Sequence, residues 1–327
     1  MGNGLFAMRD LKAGTRILSE RPLLIVPIDP THATSDQNID AFCLAILHPS
    51  MTRELLGVIG HLGVNHDLLV DASKMTRHWF QNNTGIKRTD PDLKDLEGRY
   101  SKLFCQYMEN ATRLPRQNAS GIFYRYSFIN HSCSPNAYSY YDPKRRSLKV
   151  HLARNVEAGD QIFVSYTSSE ALPRAERRAE LNLQGRKFIC GCSLCMNDEA
   201  DAIMQRIFTS VQTLTNFLVK EGAQVGQINP SFSTPNDSAE ALAVAEQLVR
   251  LLQHRSMNLQ GPKLKWALRI CTENSRRMGE MDKAAAYAKE ELALQVRLWG
   301  FDFGHIARNE NAVTRLRDVE EERSRGW

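Results

Sequence analysis

Three cysteines just past the middle of the chain limit what it can fold into more than any other feature. They occur within six residues, as Cys190-Gly-Cys192-Ser-Leu-Cys195. Thiolates at this spacing can fold around one Zn²⁺ at Zn–S distances of about 2.3 Å, and a closed structural site takes four ligands. The chain has seven cysteines, an odd number, which suits metal ligation in a reducing compartment better than a disulfide framework. We therefore expect a zinc-tied segment in a protein of the cytosol or the nucleus.

The composition is that of a folded, water-soluble chain of about two structural units, at the usual ~150 residues per domain. Of its 327 residues, 42% are hydrophobic and 24% are charged. The longest apolar run, from Leu23 to Ile28, is broken by Pro27 and is far shorter than the ~20 residues that span a bilayer. The net charge of +5 is small for a chain with 42 basic and 37 acidic residues. We therefore predict an intracellular protein without membrane contact and without direct nucleic-acid binding.

Further motifs are spread over the first half of the chain. The chain opens with Gly2-Asn3-Gly4-Leu5, the stretch from Arg125 to Ile129 leads into Asn130-His131-Ser132-Cys133, and Val164-Ser165-Tyr166 follows about thirty residues later. None of these pieces is specific alone. Their order and spacing, together with the cysteine cluster, resemble the SET-domain protein methyltransferases, and the chain is nearest to SMYD-like and fungal SET proteins. The resemblance implies transfer of a methyl group from S-adenosylmethionine to a lysine side chain.

The same resemblance implies a set of cofactor-binding residues. In the family, the glycine turn brings backbone close to the methionine end of the cofactor, where a Cβ would obstruct, and an aromatic residue stacks on adenine. The positions that match the family pattern are Gly2, Asn3, Gly4, Leu5, Asn110, Asn130, His131, Tyr166 and Phe188. Several of these positions have a plainer alternative from the residues alone. The glycines can form an ordinary turn, Asn110 can cap a helix, and Phe188 can be an apolar contact under the zinc loop.

Tyr166 is the predicted catalytic residue. It ends an alternating stretch, Gln161 to Tyr166, that predicts a strand. In the family, this phenol lies beside the transferring methyl and orients the lysine amine, which must be neutral although its free pKa is ~10.4. The alternative is a buried strand tyrosine with a satisfied hydroxyl. A Cys-His nucleophile, Cys133 with His131 or His151, is a further possibility.

The resemblance also supplies the missing zinc ligand. In proteins with a post-SET motif, the fourth ligand is the cysteine of Asn-His-Ser-Cys, which is Cys133 here. Cys133, Cys190, Cys192 and Cys195 would then hold one structural zinc. Free surface thiols are the alternative. Between the cofactor motifs and this cluster, Glu170 to Leu183 predicts a charged helix with exposed ion pairs.

We predict an α+β fold, with a β-rich SET core of short strands and a helical C-terminal region. The predicted parts are 1–35 and 111–168 for the SET core, 36–110 for a helical insertion, 169–196 for the post-SET zinc segment, and 197–327 for the helical region. The insertion contains only Cys43 and Cys105, too far apart for a zinc knuckle, so the MYND zinc module of SMYD-like relatives is expected to be absent. Met1 stands one residue before the glycine turn, so either the strand that usually precedes the turn in the family is missing or this sequence is short at its start. Apolar stripes predict helices over 203–219, 239–252 and 264–277, and Gly279 to Gly300 resembles one tetratricopeptide-like hairpin.

Together these features predict an S-adenosylmethionine-dependent protein-lysine N-methyltransferase with one structural zinc. Its partner would be a histone or non-histone protein that carries the target lysine, and we expect a monomer in the cytoplasm, the nucleus or both. Two other classes remain open from the residues. The chain could be a degenerate SET protein that acts as a scaffold, or it could methylate a non-protein amine.

Overall fold

The structure of the protein is a computed structural model. It describes residues 4–28, 35–48, 52–64, 66–84, 91–114, 117–167, 170–183, 188–300 and 312–325. Gly2 and Asn3 of the predicted glycine turn lie outside these ranges. Among the residues that the structure describes, no helix is both long and apolar enough to cross a membrane.

Short strands form three small sheets. In the first, β1 (Arg16–Glu20), β7 (Ser147–Leu152) and β6 (Ala137–Asp142) lie in the order β1-β7-β6, and all pairs are antiparallel. The second is antiparallel too, in the order β2 (Leu24–Pro27), β4 (Ala119–Ile122), β3 (Thr112–Leu114). In the third, β5 (Asn130–His131) pairs in parallel with β8 (Phe163–Val164). Together with the helices below, these strands confirm the predicted α+β class.

Four helices occupy the part of the chain predicted as an insertion. They are α1 (Ser35–Leu47), α2 (Arg53–Gly60), α3 (His66–Asn83) and α4 (Pro91–Asn110). Their core is aromatic, because the Phe42 ring lies 5.1 Å from that of Phe104 and 5.0 Å from that of Tyr107. Leu24 and Val26 of β2 belong to the same buried cluster. The insertion therefore packs on the second sheet.

The remaining helices follow the strands. They are α5 (Arg174–Leu183), α6 (Asp198–Lys220), α7 (Ser238–Gln253), α8 (Pro262–Arg277), α9 (Met281–Trp299) and α10 (Ala312–Ser324). Three begin earlier than the apolar stripes predict because of their first turns. The side chains of Asn197 and Asp237 accept the N–H groups of Ala200 and Ala239, and Pro262 starts α8. The helical C-terminal region is confirmed, and its tetratricopeptide character stays a prediction.

The C-terminal helices share a hydrophobic core with the cysteine segment. One buried cluster runs from the cysteine cluster through Met204 of α6 and Leu248 of α7 to Leu298 of α9. Polar contacts join the same parts, since the Ser134 hydroxyl donates to the Met257 carbonyl at 3.2 Å. The helices therefore support the cysteine cluster from one side.

Candidate functional site

The parallel pair β5 and β8 brings the Asn-His motif next to the segment that ends in Tyr166. In this pair, Asn130 lies opposite Phe163 and His131 lies opposite Val164. The Ser132 N–H extends the pairing with a 3.0 Å hydrogen bond to the Val164 carbonyl. Tyr166 therefore follows β8 by two residues, on the segment beside His131.

The strand predicted from Gln161 to Tyr166 is shorter in the structure because a side chain takes over part of the pairing. The Asn136 amide group donates to the Gln161 carbonyl at 2.9 Å and its oxygen accepts the Phe163 N–H at 2.7 Å. These bonds satisfy backbone groups that a longer strand would have paired with a neighbour. The prediction of a six-residue strand was therefore wrong. The two residues that do form a strand, Phe163 and Val164, lie beside the Asn-His motif.

His131 links the tyrosine segment to the cysteine cluster through both of its ring nitrogens. Its Nδ1 accepts the Tyr166 backbone N–H at 2.9 Å, and its Nε2 lies 3.3 Å from Cys133 Sγ. Because a backbone amide can only donate, Nδ1 must be the acceptor, and the proton of the neutral ring belongs on Nε2. The ring therefore donates to the Cys133 sulfur. Sequence reasoning assigned His131 to the cofactor and paired it with Cys133 only as a possible nucleophile, so it missed this link between Tyr166 and the cluster.

The Tyr166 hydroxyl donates to the Ile129 carbonyl oxygen at 2.7 Å. Ile129 immediately precedes the Asn-His motif and is fully buried, whereas Tyr166 is partly buried. The Tyr166 and His131 ring centroids lie 5.3 Å apart. A phenol oxygen and a carbonyl oxygen are thus held side by side, both with partial negative charge.

The glycine turn reaches the same place through backbone pairing. The Leu5 carbonyl accepts the Ile162 N–H at 2.8 Å, and the Ala7 N–H donates to the Asp160 carbonyl at 2.9 Å. A Cβ at Gly4 would lie 2.0 Å from Gln161 Nε2 and 3.1 Å from Asn130 Nδ2. A side chain at Gly4 would therefore require the end of the Gln161 side chain to move, and Gly4 lies close to Asn130.

The two remaining predicted cofactor residues differ in where they lie. The Phe188 ring is 42% exposed, and its centroid lies 6.0 Å from that of His131. Asn110 is the last residue of α4, where its amide donates to the Gln106 carbonyl at 2.8 Å. Asn110 thus hydrogen-bonds to the backbone at the end of a helix, as in the alternative to cofactor binding that the sequence analysis gave. Phe188 is thus beside the His131 ring, while contact of Asn110 with a cofactor stays a prediction.

The four predicted zinc ligands lie together. The sulfurs of Cys133, Cys190, Cys192 and Cys195 are all within 4.8 Å of one another. Cys133 Sγ lies 3.5 Å from Cys195 Sγ and 3.8 Å from Cys190 Sγ. Four sulfurs in a tetrahedron at about 2.3 Å from zinc would be separated by about 3.8 Å, so this set fits the ion. Among the described residues, it is the one group of three or more cysteine, histidine or acidic side chains that could hold a metal.

The thiols of the cluster hydrogen-bond to one another, and these bonds shift their pKa values in opposite directions. Bonds to Cys190, Cys192 and Cys195 raise the pKa of Cys133 far above its usual range. The corresponding bonds from Cys133 and Cys190 lower the pKa of Cys195 to about 6. A Cys-His nucleophile is not favoured, because Cys133 is buried among three other sulfurs. His151 lies on β7, with its ring stacked on Tyr140.

Arg177 is a neighbour of the cluster that the sequence did not reveal. The charged pattern of α5 predicted exposed ion pairs, but Arg177 is only 1% exposed and ranks first among the large buried side chains described. Its Nη2 donates to Cys195 Sγ at 3.5 Å, and its Nη1 donates to the Leu172 carbonyl. Leu181, one helical turn later, is also buried. That i, i+4 relation to an apolar residue was the signal for the buried face.

A cavity of about 340 Å³ lies between the core and the C-terminal helices. Its walls include Ser165 and Thr167, on either side of Tyr166, and Lys263 from α8. The Tyr138 hydroxyl donates to the Glu170 carboxylate, which is buried in the same wall. Burial raises the pKa of Glu170 and lowers the pKa of Lys263, because both charged forms lose water.

Comparison with known families identifies the architecture. The SET domain family matches residues 2–167, slightly more than half of the chain. The chain therefore belongs to the SET domain family. The predicted SET fold and the predicted family are thereby confirmed.

Two curated relatives match shorter parts of the chain. A SET and MYND domain-containing protein of Dictyostelium discoideum is 35% identical over 105 residues, which is 32% of this chain and 20% of the relative. The histone-lysine N-methyltransferase ASHR1 of Arabidopsis thaliana is 28% identical over 143 residues, 41% of this chain and 28% of the relative. The chain thus spans less than a third of the length of either relative.

One solved structure aligns with most of the chain at low similarity. It is described as the SET domain of LSMT bound to lysine and AdoHcy, and it covers 98% of this chain and 85% of that chain. The sequence identity is 13% and the TM-score is 0.35.

Proposed function

We propose that this protein transfers a methyl group from S-adenosylmethionine to a lysine side chain of a protein substrate. The observation that carries the proposal is the 2.7 Å pair of the Tyr166 hydroxyl and the Ile129 carbonyl, beside the Asn-His motif. The printed names of relatives support it, since ASHR1 is called a histone-lysine N-methyltransferase. The substrate could be a histone or another protein.

The residues around the glycine turn suit an S-adenosyl cofactor. Gly4 has no side chain, so its backbone is open to close approach, and the Asn130 side-chain amide lies next to it. The exposed Phe188 ring offers an aromatic face near His131. An aromatic face can stack on adenine, and closely approached backbone can bind the polar methionine end. Bound S-adenosylmethionine would supply an electrophilic methyl group on a positively charged sulfur. We infer that Gly2, Asn3 and Leu5 complete this site.

The proposed role of Tyr166 is to orient the reacting amine. Its hydroxyl oxygen and the Ile129 carbonyl oxygen carry partial negative charge, which can attract the N–H groups of an amine and polarised C–H groups of a methyl. Holding the amine in line with the methyl lowers the barrier through positioning alone. The Tyr166 ring needs no change of protonation for this role.

The target lysine must react as the neutral amine. A free lysine amine has a pKa of ~10.4, so the site must favour loss of its proton. Apolar surroundings do so, because burial penalises the charged form. The cavity bordered by Ser165, Thr167 and Lys263 is the space through which we propose that the side chain enters. Lys263 shows this effect of burial there, since its own pKa is lowered.

The proposed zinc would be structural. Cys133 follows the Asn-His motif by two residues, whereas its three partners come more than fifty residues later. One ion held by all four thiolates would therefore tie the later segment, and with it Phe188, across the motif. The sulfur distances of 3.5 and 3.8 Å support this assignment.

The test of the proposal separates cofactor binding from methyl transfer. Zinc-loaded wild-type protein and Tyr166→Phe are each titrated with S-adenosylhomocysteine, and each is incubated with labelled S-adenosylmethionine and core histones or a soluble protein extract. We expect nearly equal binding but at least about a tenfold slower transfer, or a changed number of methyl groups per lysine, in the variant. Tyr287→Phe is the matched control, because that phenol donates to Glu246 in the C-terminal helices, away from the motif.

Two results would contradict the proposal. One is wild-type protein that binds the cofactor but transfers no methyl group to any lysine in either protein mixture. The other is a Tyr166→Phe variant with wild-type rate and product, which would remove Tyr166 from the reaction.

A further inference from the structure

Arg177 is a buried cation whose described partners do not include a carboxylate. Its side chain is 1% exposed, and its hydrogen bonds go to the Cys195 sulfur at 3.5 Å and to the Leu172 carbonyl. Nε of the same guanidinium has no partner among the described residues. An arginine placed this way needs a negative charge nearby, because burial of an unpaired cation is costly.

The cysteine cluster can supply that charge. Four thiolates around one Zn²⁺ leave the site with two net negative charges, in a region where three of the four cysteines are buried. Two described nitrogen-bearing side chains donate to the sulfurs. His131 donates to Cys133 at 3.3 Å, and Arg177 donates to Cys195 at 3.5 Å. Only Arg177 brings a full positive charge.

We propose that Arg177 is a positioning residue that holds the Cys195 sulfur through its guanidinium and so strengthens retention of the metal by the cysteine cluster. This inference rests on the zinc site of the proposed function, and it adds a residue that acts on the ligands without touching the metal. A charge-assisted hydrogen bond withdraws electron density from Cys195 and offsets part of the net charge of the site. Loss of such outer contacts typically costs about 10- to 100-fold in metal affinity.

Three variants separate charge from packing. Arg177→Met keeps a long apolar side chain and removes charge and donors, whereas Arg177→Lys keeps the charge and loses the planar fork. Arg178→Met is the matched control, because Arg178 is the next residue of α5 and is exposed. Full-length protein is loaded with Zn²⁺ for competition against a chelator, and with Co²⁺ for absorption spectra of the sulfur-to-metal charge-transfer band.

We expect Arg177→Met to bind Zn²⁺ about 10- to 100-fold more weakly than wild type, with a smaller loss in Arg177→Lys and none in Arg178→Met. The charge-transfer band of Arg177→Met should shift to lower energy, because a sulfur that accepts fewer hydrogen bonds gives up an electron more easily. Packing alone would not move that band in this direction. The band is therefore the measurement that identifies contact with the thiolate.

Unchanged zinc affinity and an unchanged band in Arg177→Met would overturn the inference. If that variant does not fold, Arg177→Lys decides, since wild-type affinity and spectrum in the lysine variant would show that the guanidinium contact is not needed. Wild-type protein that takes up neither metal would overturn the zinc site and this inference together. Methyl transfer is measured in the separate assay above, so failure of the two proposals can be distinguished.

Discussion

The β5–β8 pair of the SET core and the C-terminal helices are stabilised in different ways. In the core, the pair β5 and β8 has two residues in each strand, and its neighbours are fixed by side chains such as Asn136 and His131. In the C-terminal region, α6 to α9 run for 16 to 23 residues each and bury continuous apolar stripes. The β5–β8 pair thus depends on individual polar residues, whereas the helical region depends on a repeated apolar pattern.

This difference predicts two kinds of response to mutation. Loss of one member of a polar cluster leaves its partners buried without a bond, so the effect should be large and concentrated in function. Loss of apolar volume in a helical stripe should lower the free energy of unfolding by an amount that follows the volume removed. The three predictions below test this contrast.

The largest expected effect is that of Cys192→Ser. Removal of one ligand from a tetrathiolate site should abolish stoichiometric zinc and destabilise the protein strongly, since structural zinc sites contribute roughly 10–16 kcal/mol in small zinc peptides. Bound zinc is measured by elemental analysis and stability by thermal melting. Cys271→Ala is the control, because that buried cysteine of α8 lies outside the cluster. One retained zinc per chain with normal melting in Cys192→Ser would refute the tetrathiolate.

A graded effect is expected from Leu268→Ala. Leu268 is fully buried in α8, so its truncation should lower the free energy of unfolding by about 2–5 kcal/mol. Zinc content and cofactor binding, measured below the melting temperature, should stay at wild-type levels, because the residue belongs to the helical stripe. If Leu268→Ala lost zinc while it remained folded, the helical stripe would act on the metal site through the hydrophobic core that they share, and the contrast drawn above would fail.

The smallest effect lies at the junction of the two regions and appears only in acid. His151 of β7 is buried, Gly300 after α9 approaches its ring, and burial with the nearby Arg16 and Lys149 lowers its pKa to about 4. Between pH 6.5 and 4, the unfolded chain binds the proton that the folded chain excludes, so stability should fall as the pH drops through that window, by at most roughly 3 kcal/mol. Above pH 6.5 both states are neutral and the contribution vanishes.

His151→Gln removes this titration. The denaturation midpoint of the variant should therefore change less between pH 6.5 and pH 4 than that of wild type. His254→Gln, at an exposed histidine, serves as the control. An unchanged acid slope in His151→Gln would show that other groups cause it.

Three helices of the C-terminal region could be predicted from the sequence, whereas α10 was not predicted and Gly279 to Gly300, which resembles a hairpin, contains the single helix α9. Apolar stripes predicted α6, α7 and α8 to within a few residues, and the differences lie at first turns, where Asn197, Asp237 and Pro262 decide the start. In the core, the motifs predicted which cysteines meet, because Cys133 could be assigned from the resemblance. Local periodicity would not have brought residues so far apart in sequence together.

What could not be predicted are contacts between segments that are distant in sequence. The Asn136 amide shortens the predicted strand, and His131 connects Tyr166 to Cys133. Arg177 looked like one more charge on a solvated helix, yet it lies against Cys195. The spacing of Arg177 and Leu181 indicates a buried face of α5, but it does not indicate which distant segment lies against that face.

The most direct test of the central claim is calorimetric titration of zinc-loaded wild-type protein with S-adenosylhomocysteine. If the glycine turn, Asn130, His131 and Phe188 form the cofactor site, the titration should show one site per chain with micromolar affinity. A folded protein with one bound zinc that gives no binding heat at several temperatures would contradict the assignment of this site, and with it the proposed methyl transfer.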